Sequence, residues 1–197
     1  MRIIAGSLRS RSLLAPPGLA TRPTSDRLRE TLFNVLAPRI EGASLLDLYA
    51  GSGAVGLEAL SRGAARVAFV ERAAPPLKTL TGNLEKLGIK TGFRIHACAV
   101  GTFLRRSIAG SKPDRREEKS TPYEVVFLDP PYDAAEEYAT TLGLLGGAAA
   151  GLLSEGALVI AEHRRKESLD DRYGELARTR LLEQGDASLS FYAANFR

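Results

Sequence analysis

The chain has 197 residues, 44% hydrophobic and 25% charged, with a formal net charge of +4, a composition typical of a globular domain. It contains one cysteine, Cys98, and two histidines, which excludes an internal disulfide and argues against a structural zinc site. Since no apolar run approaches the roughly 20 residues of a membrane span, and the charged start does not fit a secretory signal, we expect a cytoplasmic protein.

The positive charge is concentrated at the beginning of the chain. Residues 1–39 hold seven arginines against two acidic residues, a net of +5, whereas the remainder has a net of −1. A basic segment on a nearly neutral body favours a polyanionic partner such as RNA or DNA. The alternative is that these arginines only increase solubility. The candidate phosphate-binding residues are Arg2, Arg9, Arg11, Arg22 and Arg27.

The first elements in chain order are a small arm and a helix. Residues 2–14 alternate loosely around Gly6 and predict a hairpin, and Pro16-Pro17-Gly18 then interrupts regular structure. Thr24, Ser25 or Asp26 can cap a helix. We expect residues 1–40 to form a basic N-terminal extension and residues 41–197 to form the main domain. The apolar stripe of the helix is Leu28, Leu32, Val35 and Leu36.

From residue 44 onward, apolar strands alternate with helices. This alternation predicts an α/β fold with a mostly parallel sheet, and a closing hairpin would add an antiparallel edge. Glu162 and His163 end the fifth of these strands, and we expect the basic run with Lys166 after them to lie in a solvated loop. The charged segment 111–121 is expected to be a loop as well. Strands are predicted over residues 44–49, 66–71, 93–97, 123–128, 157–162, 176–182 and 187–193, and helices over 54–62, 74–87, 100–109 and 135–150.

The turn after the first of these strands has the spacing of a nucleotide-binding loop. Its sequence, DLYAGSGAVG at 47–56, contains Gly-x-Gly-x-x-Gly, and Glu71 follows 20 residues after Gly51. Asp47 would repel a pyrophosphate but suits the ammonium and sulfonium charges of S-adenosylmethionine. That cofactor is therefore favoured over a nicotinamide or flavin and over a turn without a ligand. The candidate cofactor-binding residues here are Asp47, Tyr49, Ala50, Gly51, Ser52, Gly53, Glu71 and Arg72.

A second motif, Asp129-Pro130-Pro131-Tyr132, ends the apolar run 125–128. Each proline restricts the residue before it, so the turn is stiff and its carbonyls are held in place. A carboxylate, rigid carbonyls and an aromatic ring suit the binding of a planar amine attached to a nucleobase. We predict these four residues to be catalytic. A strand that merely ends in a Pro-Pro turn, with Tyr132 as a core aromatic, is the alternative.

Together these motifs resemble those of the bacterial RsmD-type methyltransferases, which methylate N2 of a guanine in 16S ribosomal RNA. The similarity covers nearly the whole chain. The glycine-rich turn and the Pro-Pro motif occur in many methyltransferases. The Arg-Pro-Thr head combined with Ser-Arg-Gly-Ala is found in a much smaller group of them. The segments that carry the resemblance are MRIIAG at 1–6, RPTSDR at 22–27 with Arg29-Glu30, LDLYAGSG at 46–53, EALSRGA at 58–64, Glu71, Asn83-Leu84 and DPPY at 129–132.

The resemblance implies a fold, a cofactor and a partner. The fold is the Class I S-adenosylmethionine-dependent methyltransferase fold, Rossmann-like, with a mostly parallel seven-stranded sheet, an antiparallel edge strand and a short N-terminal hairpin and helix. The partner is 16S ribosomal RNA or a small-subunit assembly particle, with no metal and no membrane. The resemblance also places Thr24 against the methionine end of the cofactor. Where many relatives have Asp or Asn to contact adenine, this chain has Cys98-Ala99, so we expect a backbone amide to replace that contact.

Three other functions remain open from the sequence. An adenine-N6 amino-methyltransferase acting on DNA or RNA would use the same Asp-Pro-Pro-Tyr chemistry, although 197 residues leave little room for a target-recognition domain. A non-catalytic RNA-binding assembly factor could retain the methyltransferase scaffold. The intact residues Asp47, Glu71 and Asp129 argue against that loss of activity. An oxidoreductase is the third alternative.

Overall fold

The computed structural model describes residues 1–15, 25–109, 122–131 and 135–194. The chain forms two compact units, Met1–Ala97 and Cys98–Arg197. The predicted site residues Thr24, Arg22 and Tyr132 lie outside the described residues, as does the charged segment 111–121. Among the helices of the described segments, none is long and apolar enough to cross a membrane.

The first unit contains three parallel strands in the order β3-β2-β1. All five residues of β1 are buried, as expected for a parallel strand whose two faces are both covered. The third glycine of the turn motif, Gly56, lies where α2 meets β2, and a Cβ there would be 2.2 Å from Phe69 Cε1. The elements are α1 (Asp26–Leu36), β1 (Ser44–Leu48), α2 (Ala54–Ser61), β2 (Arg66–Glu71), α3 (Ala74–Leu87) and β3 (Phe93–Ala97).

Helix α1 begins where its capping residues predict. Ser25 is the N-cap, and its hydroxyl accepts a hydrogen bond from the Leu28 amide at 3.1 Å. The apolar stripe predicted for this helix is largely buried, while Arg27, Glu30 and Asn34 are exposed. Of the three cap candidates, Ser25 is therefore the one used.

The segment before this helix forms an arm, which we define as residues 1–14. It closes on itself through an isolated antiparallel bridge between Arg2 and Ser12, and the Ile3 amide donates to the Arg11 carbonyl at 2.9 Å. Gly6 has a φ of +85°, and a Cβ on it would be 1.9 Å from the Ser61 carbonyl oxygen of α2. Only glycine permits this conformation and this approach. The predicted N-terminal hairpin is confirmed.

The second unit contains five strands in the order β4-β5-β8-β7-β6. Strands β4 and β5 are parallel, whereas the β5–β8, β8–β7 and β7–β6 pairs are antiparallel. The predicted closing hairpin is present as β7 and β8, joined at 185–186. The elements are α4 (Val100–Ile108), β4 (Tyr123–Leu128), α5 (Ala135–Leu145), a 3-10 turn (Ala150–Leu152), β5 (Leu153–Arg164), β6 (Arg172–Tyr173), β7 (Leu176–Gln184) and β8 (Ala187–Ala194).

The strand count exceeds the prediction by one. The α/β class with parallel strands is confirmed, but the described residues form eight strands rather than seven. The additional strand, β6, has two residues, which is too short to produce a recognisable alternation in sequence. Its pairing with β7 extends the antiparallel part beyond the single edge strand that we expected.

The fifth strand is longer than the predicted 157–162, and the basic run with Lys166 follows it as an exposed turn, as expected. Strand β5 continues to Arg164, which pairs with Ala187 of β8, so Glu162 and His163 are both buried. The His163 Nε2 atom lies 2.9 Å from the Ser190 hydroxyl. Burial lowers the pKa of His163, so the neutral imidazole is favoured. A charged ring at this buried position would destabilise the folded protein.

Candidate cofactor and substrate sites

The turn between β1 and α2 requires unusual backbone conformations. Tyr49, Gly51 and Gly53 have φ angles of +61°, +56° and +80°. A Cβ on Gly53 would be 2.3 Å from Leu80 Cδ1, so both the conformation and the space demand glycine. Tyr49 has a Cβ and adopts the left-handed region at a cost of about 1 kcal/mol. Such local strain is typical of a binding site.

Asp47 lies beneath this turn and is almost inaccessible to solvent, with 2% of its surface exposed. Its Oδ2 atom accepts a hydrogen bond from the Gly56 amide at 2.9 Å. Burial raises the pKa of Asp47 to about 7; the Gly56 hydrogen bond opposes this rise and the nearby Glu71 charge adds to it. A buried carboxyl poised near neutrality would be stabilised in its ionised form by a cationic ligand.

Glu71, at the end of β2, contacts the glycine turn directly. Its Oε2 atom accepts from the Gly51 amide at 3.0 Å, and its Oε1 atom accepts from the Ala73 amide at 2.7 Å. A carboxylate offers about four lone-pair positions, so two backbone contacts leave capacity for ribose hydroxyls. The structure therefore brings together Glu71 and the glycine turn that the sequence motif linked. The adjacent Arg72 is exposed.

The two residues proposed for the adenine contact begin the second unit. Cys98 and Ala99 are half-buried, and Ala99 is the N-cap of α4 without a side-chain hydrogen bond. The helix therefore begins without a side-chain cap, and such a terminus offers backbone N–H groups. A backbone contact to adenine at these two positions stays a prediction. In the part of the chain that the structure describes, no group of three or more His, Cys, Asp or Glu side chains could hold a metal.

The Asp-Pro-Pro motif follows β4 directly. Asp129 is half-buried, Pro130 is buried and Pro131 is exposed. The preceding residues Val125–Leu128 are fully buried, so the motif begins where the strand leaves the core, as predicted. The catalytic role of Asp129, Pro130, Pro131 and Tyr132 stays a prediction.

The candidate phosphate-binding arginines that the structure describes are exposed. They are Arg2, Arg9, Arg11 and Arg27. Arg11 donates from Nη2 to the Lys86 carbonyl at 3.4 Å, while the Lys86 ammonium donates to the Ser12 hydroxyl at 2.8 Å. Lys86 on α3 therefore lies beside Arg11 and adds a positive charge that the sequence pattern did not identify, because the two residues are 75 positions apart.

Two buried side chains, Glu58 of α2 and Arg29 of α1, hold the arm. Neither was predicted from sequence to have this role. Both carboxylate oxygens of Glu58 accept hydrogen bonds from backbone amides of the arm, from Ile4 at 2.7 Å and from Ala5 at 2.9 Å. Arg29 is fully buried and donates to the Arg2 carbonyl and to Asp26. Both residues are charged and lie at helix positions whose spacing places them toward the core. That combination in the sequence could have identified them.

The chain is similar to known proteins over most of its length. The family model described as "Conserved hypothetical protein 95" matches residues 1–193. The Escherichia coli protein named "Ribosomal RNA small subunit methyltransferase D" is 39% identical over 171 residues, which cover 86% of this chain and 77% of that protein. The solved structure of Escherichia coli yhhF is 34% identical, covers 98% of this chain and 97% of its own, and gives a TM-score of 0.80.

A more distant structure shows the same fold. It is an RNA methyltransferase from Salinibacter ruber in complex with S-adenosyl-L-homocysteine, with 16% identity, coverage of 87% of this chain and 93% of that one, and a TM-score of 0.59. The Class I methyltransferase fold is therefore confirmed. With a family model that spans almost the whole sequence, the chain belongs to the Conserved hypothetical protein 95 family, the RsmD-type methyltransferases.

Proposed function

We propose that this protein transfers a methyl group from S-adenosylmethionine to the exocyclic N2 amine of a guanine in 16S ribosomal RNA. The observation that carries the proposal is the buried Asp47 beneath a glycine turn whose Gly51 amide is bound by Glu71. The family relationship to small-subunit ribosomal RNA methyltransferases supports the substrate class. The Asp-Pro-Pro-Tyr motif supports an amine as the acceptor.

The residues of the turn fit the cofactor in charge and in space. Bound S-adenosylmethionine supplies a methyl group on a positively charged sulfur. Asp47, with its pKa raised to about 7 by burial, gains stability as an ion beside a cationic ligand. Glu71 accepts ribose hydroxyls with the lone pairs that its two backbone contacts leave. Gly51 lacks a side chain that would block a ligand from the backbone.

The Asp-Pro-Pro-Tyr motif supplies the contacts to the base. The N2 amine of guanine is a weak nucleophile because its lone pair is delocalised into the ring. When the Asp129 carboxylate and the Pro130 carbonyl accept its two N–H groups, the nitrogen moves toward tetrahedral geometry and the lone pair becomes available. Positioning and charge complementarity then supply most of the acceleration. Asp129 or water takes the proton that the methylated nitrogen releases.

Tyr132 is assigned to the extruded base. Stacking of a base on an aromatic ring contributes about 1–3 kcal/mol, which offsets part of the few kcal/mol needed to unstack that base. The exposed arginines Arg2, Arg9 and Arg11 bind phosphates, which gives affinity but little sequence choice.

Mass-spectrometric mapping of methylated nucleosides tests the reaction. Purified protein, S-adenosylmethionine and small-subunit particles assembled with unmodified 16S ribosomal RNA should yield N2-methylguanosine at one position. A parallel reaction with naked 16S ribosomal RNA identifies the preferred form of the substrate. Methylation at adenine N6 would replace the guanine assignment. Cofactor binding with no methylation of either substrate would favour an assembly factor.

The basic arm should control affinity for RNA. Neutralising Arg9 and Arg11 together to glutamine removes two exposed positive charges, so we expect weaker binding to 16S ribosomal RNA. Each phosphate contact contributes about 0.7–0.9 to the slope of log affinity against log salt. The slope should therefore fall by about 1.5 in a titration from 50 to 200 mM salt.

A matched double variant controls for net charge. Arg172 and Arg180 are exposed arginines of the second unit, and their replacement by glutamine removes the same charge elsewhere. We expect that variant to keep most of the wild-type slope. An equal loss of slope in the two double variants would show that net charge, rather than the arm, determines affinity.

A further inference from the structure

Asn83 of α3 contacts both the arm and the cofactor turn. Its Oδ1 atom accepts from the Leu14 amide at 2.6 Å, and its Nδ2 atom donates to the Leu14 carbonyl at 3.3 Å and to the Ser52 carbonyl at 3.0 Å. The side chain is fully buried. One amide therefore connects the end of the arm to the middle of the Gly51-Ser52-Gly53 turn.

This position is otherwise suited to an apolar side chain. Leu80, Leu84 and Leu87 form the buried stripe of α3, and Asn83 lies on the same face. A buried amide is costly unless its donors and acceptors are satisfied. Asn83 is satisfied only while both the arm and the turn keep their present positions, so displacement of one of them weakens the support of the other.

The arm is held mainly by side chains, not by the sheet. Its backbone makes one isolated bridge within itself, and Ile3 and Leu13 are its buried apolar residues. The side chains that hold it are Glu58 and Ser61 of α2, Arg29 of α1, and Asn83 and Lys86 of α3. A segment with few ladder hydrogen bonds opens at a lower free energy than the strands of the core. The arm is docked in this structure, and the hydrogen bonds of Asn83 to Leu14 favour that position.

We propose that Asn83 is a positioning residue that couples cofactor binding at the glycine turn to docking of the arm, and through the arm to RNA binding. A ligand that rigidifies the turn holds the Ser52 carbonyl in place, which keeps the Asn83 amide oriented toward Leu14. The docked arm presents Arg9 and Arg11 in fixed positions. Coupling between two ligands is reciprocal, so RNA bound to the arm raises cofactor affinity by the same factor. The proposal rests on the function proposed above.

Hydrogen exchange of the wild-type protein tests the coupling without any variant. The amides of Ser10, Leu13 and Leu14 donate within the arm or to Asn83. Saturating S-adenosylhomocysteine should slow their exchange by about tenfold, the scale of common allosteric couplings. If S-adenosylhomocysteine binds but leaves these rates unchanged, the coupling is refuted while the proposed function stands. Failure of S-adenosylhomocysteine to bind at all would overturn the proposed function and this inference together.

Variants of Asn83 assign the coupling to the side chain. Asn83→Asp keeps an acceptor for the Leu14 amide but loses both donated hydrogen bonds, and Asn83→Ala loses all three. In the wild type we expect S-adenosylhomocysteine to raise the affinity for a full-length 16S ribosomal RNA transcript about tenfold. In both variants the affinities with and without S-adenosylhomocysteine should agree within about twofold.

Thr79 provides the matched control on the same helix. It is buried, and its hydroxyl bonds only to the Pro75 carbonyl within α3 among the contacts of the described residues. Thr79→Val therefore removes a polar contact of α3 without touching the arm or the turn, and it should keep the tenfold coupling. Loss of coupling in Thr79→Val would show that general loosening of α3 is responsible, and an unchanged coupling in Asn83→Ala would exclude a role for the Asn83 amide.

Discussion

Replacement of Asp129 by alanine should lower the rate of methyl transfer by at least about 10³-fold, because it removes the carboxylate that positions the acceptor amine. Asp129 is half-buried at the end of β4, and the preceding strand residues are fully buried, so the substitution leaves the core intact. Binding of S-adenosylhomocysteine should stay within about threefold of the wild type, since the residues assigned to the cofactor are unchanged. Single-turnover methylation and calorimetry measure the two quantities separately.

Two further variants define what this result means. Asp129→Asn keeps a carbonyl acceptor of the same size and should retain more activity than the alanine variant. Glu155→Ala removes an exposed carboxylate at the beginning of β5 and should leave the rate unaltered. Wild-type turnover in Asp129→Ala would exclude the assigned role. A loss of cofactor affinity equal to the loss of rate would place Asp129 in the cofactor site.

Replacement of Asp47 by asparagine should make protein stability less dependent on pH. The folded-state pKa of Asp47 is raised to about 7 from an ordinary value of 3.8, so between these pH values the folded protein keeps a proton that the unfolded chain releases. Stability from this group is complete below about pH 4 and falls as pH rises to about 7, by about 1.4 kcal/mol per pH unit. The full change is about 4 kcal/mol, and the asparagine side chain does not titrate.

Urea unfolding without cofactor measures this difference. The free energy of unfolding of Asp47→Asn, minus that of the wild type, should increase by several kcal/mol between about pH 4 and 7 and then become constant. A difference that is the same at every pH would show that Asp47 keeps its ordinary pKa in the folded protein.

Asp47→Asn should weaken cofactor binding near neutral pH, although its stability relative to that of the wild type is highest there. At pH 7.5 the ionised Asp47 favours a cationic ligand, so the variant should bind S-adenosylmethionine about tenfold more weakly or worse. The wild-type affinity should increase as pH rises through about 7 relative to the affinity of the variant, because the carboxyl must ionise to attract the cation. Equal affinities across this pH range would exclude an electrostatic role for Asp47.

Several features followed from sequence because neighbouring residues determine them. The pattern predicted α3 over 74–87, and the helix spans Ala74–Leu87. Ser25 caps α1, and Gly185 lies in the turn between β7 and β8. In each case the physical cause is a cap, a proline, a glycine or a period of apolar residues within one element. The glycine turn was recognisable for the same reason, since its three glycines lie within six residues.

Other features depended on contacts between distant parts of the chain. The two-residue strand β6 exists through its pairing with β7, and His163 is buried because β8 extends β5 beyond its apolar run. No period of apolar residues marks either one.

Motifs and local patterns in the sequence were thus enough to indicate the parallel α/β architecture, the glycine turn and the Asp-Pro-Pro-Tyr motif. Tertiary structure alone decided that Glu58 holds the arm, that Lys86 lies beside Arg11, and that Asn83 joins Leu14 to Ser52 across 69 and 31 positions. The physical reason is the range of the interactions: a hydrogen bond to a buried side chain exists only once packing has brought its two partners together.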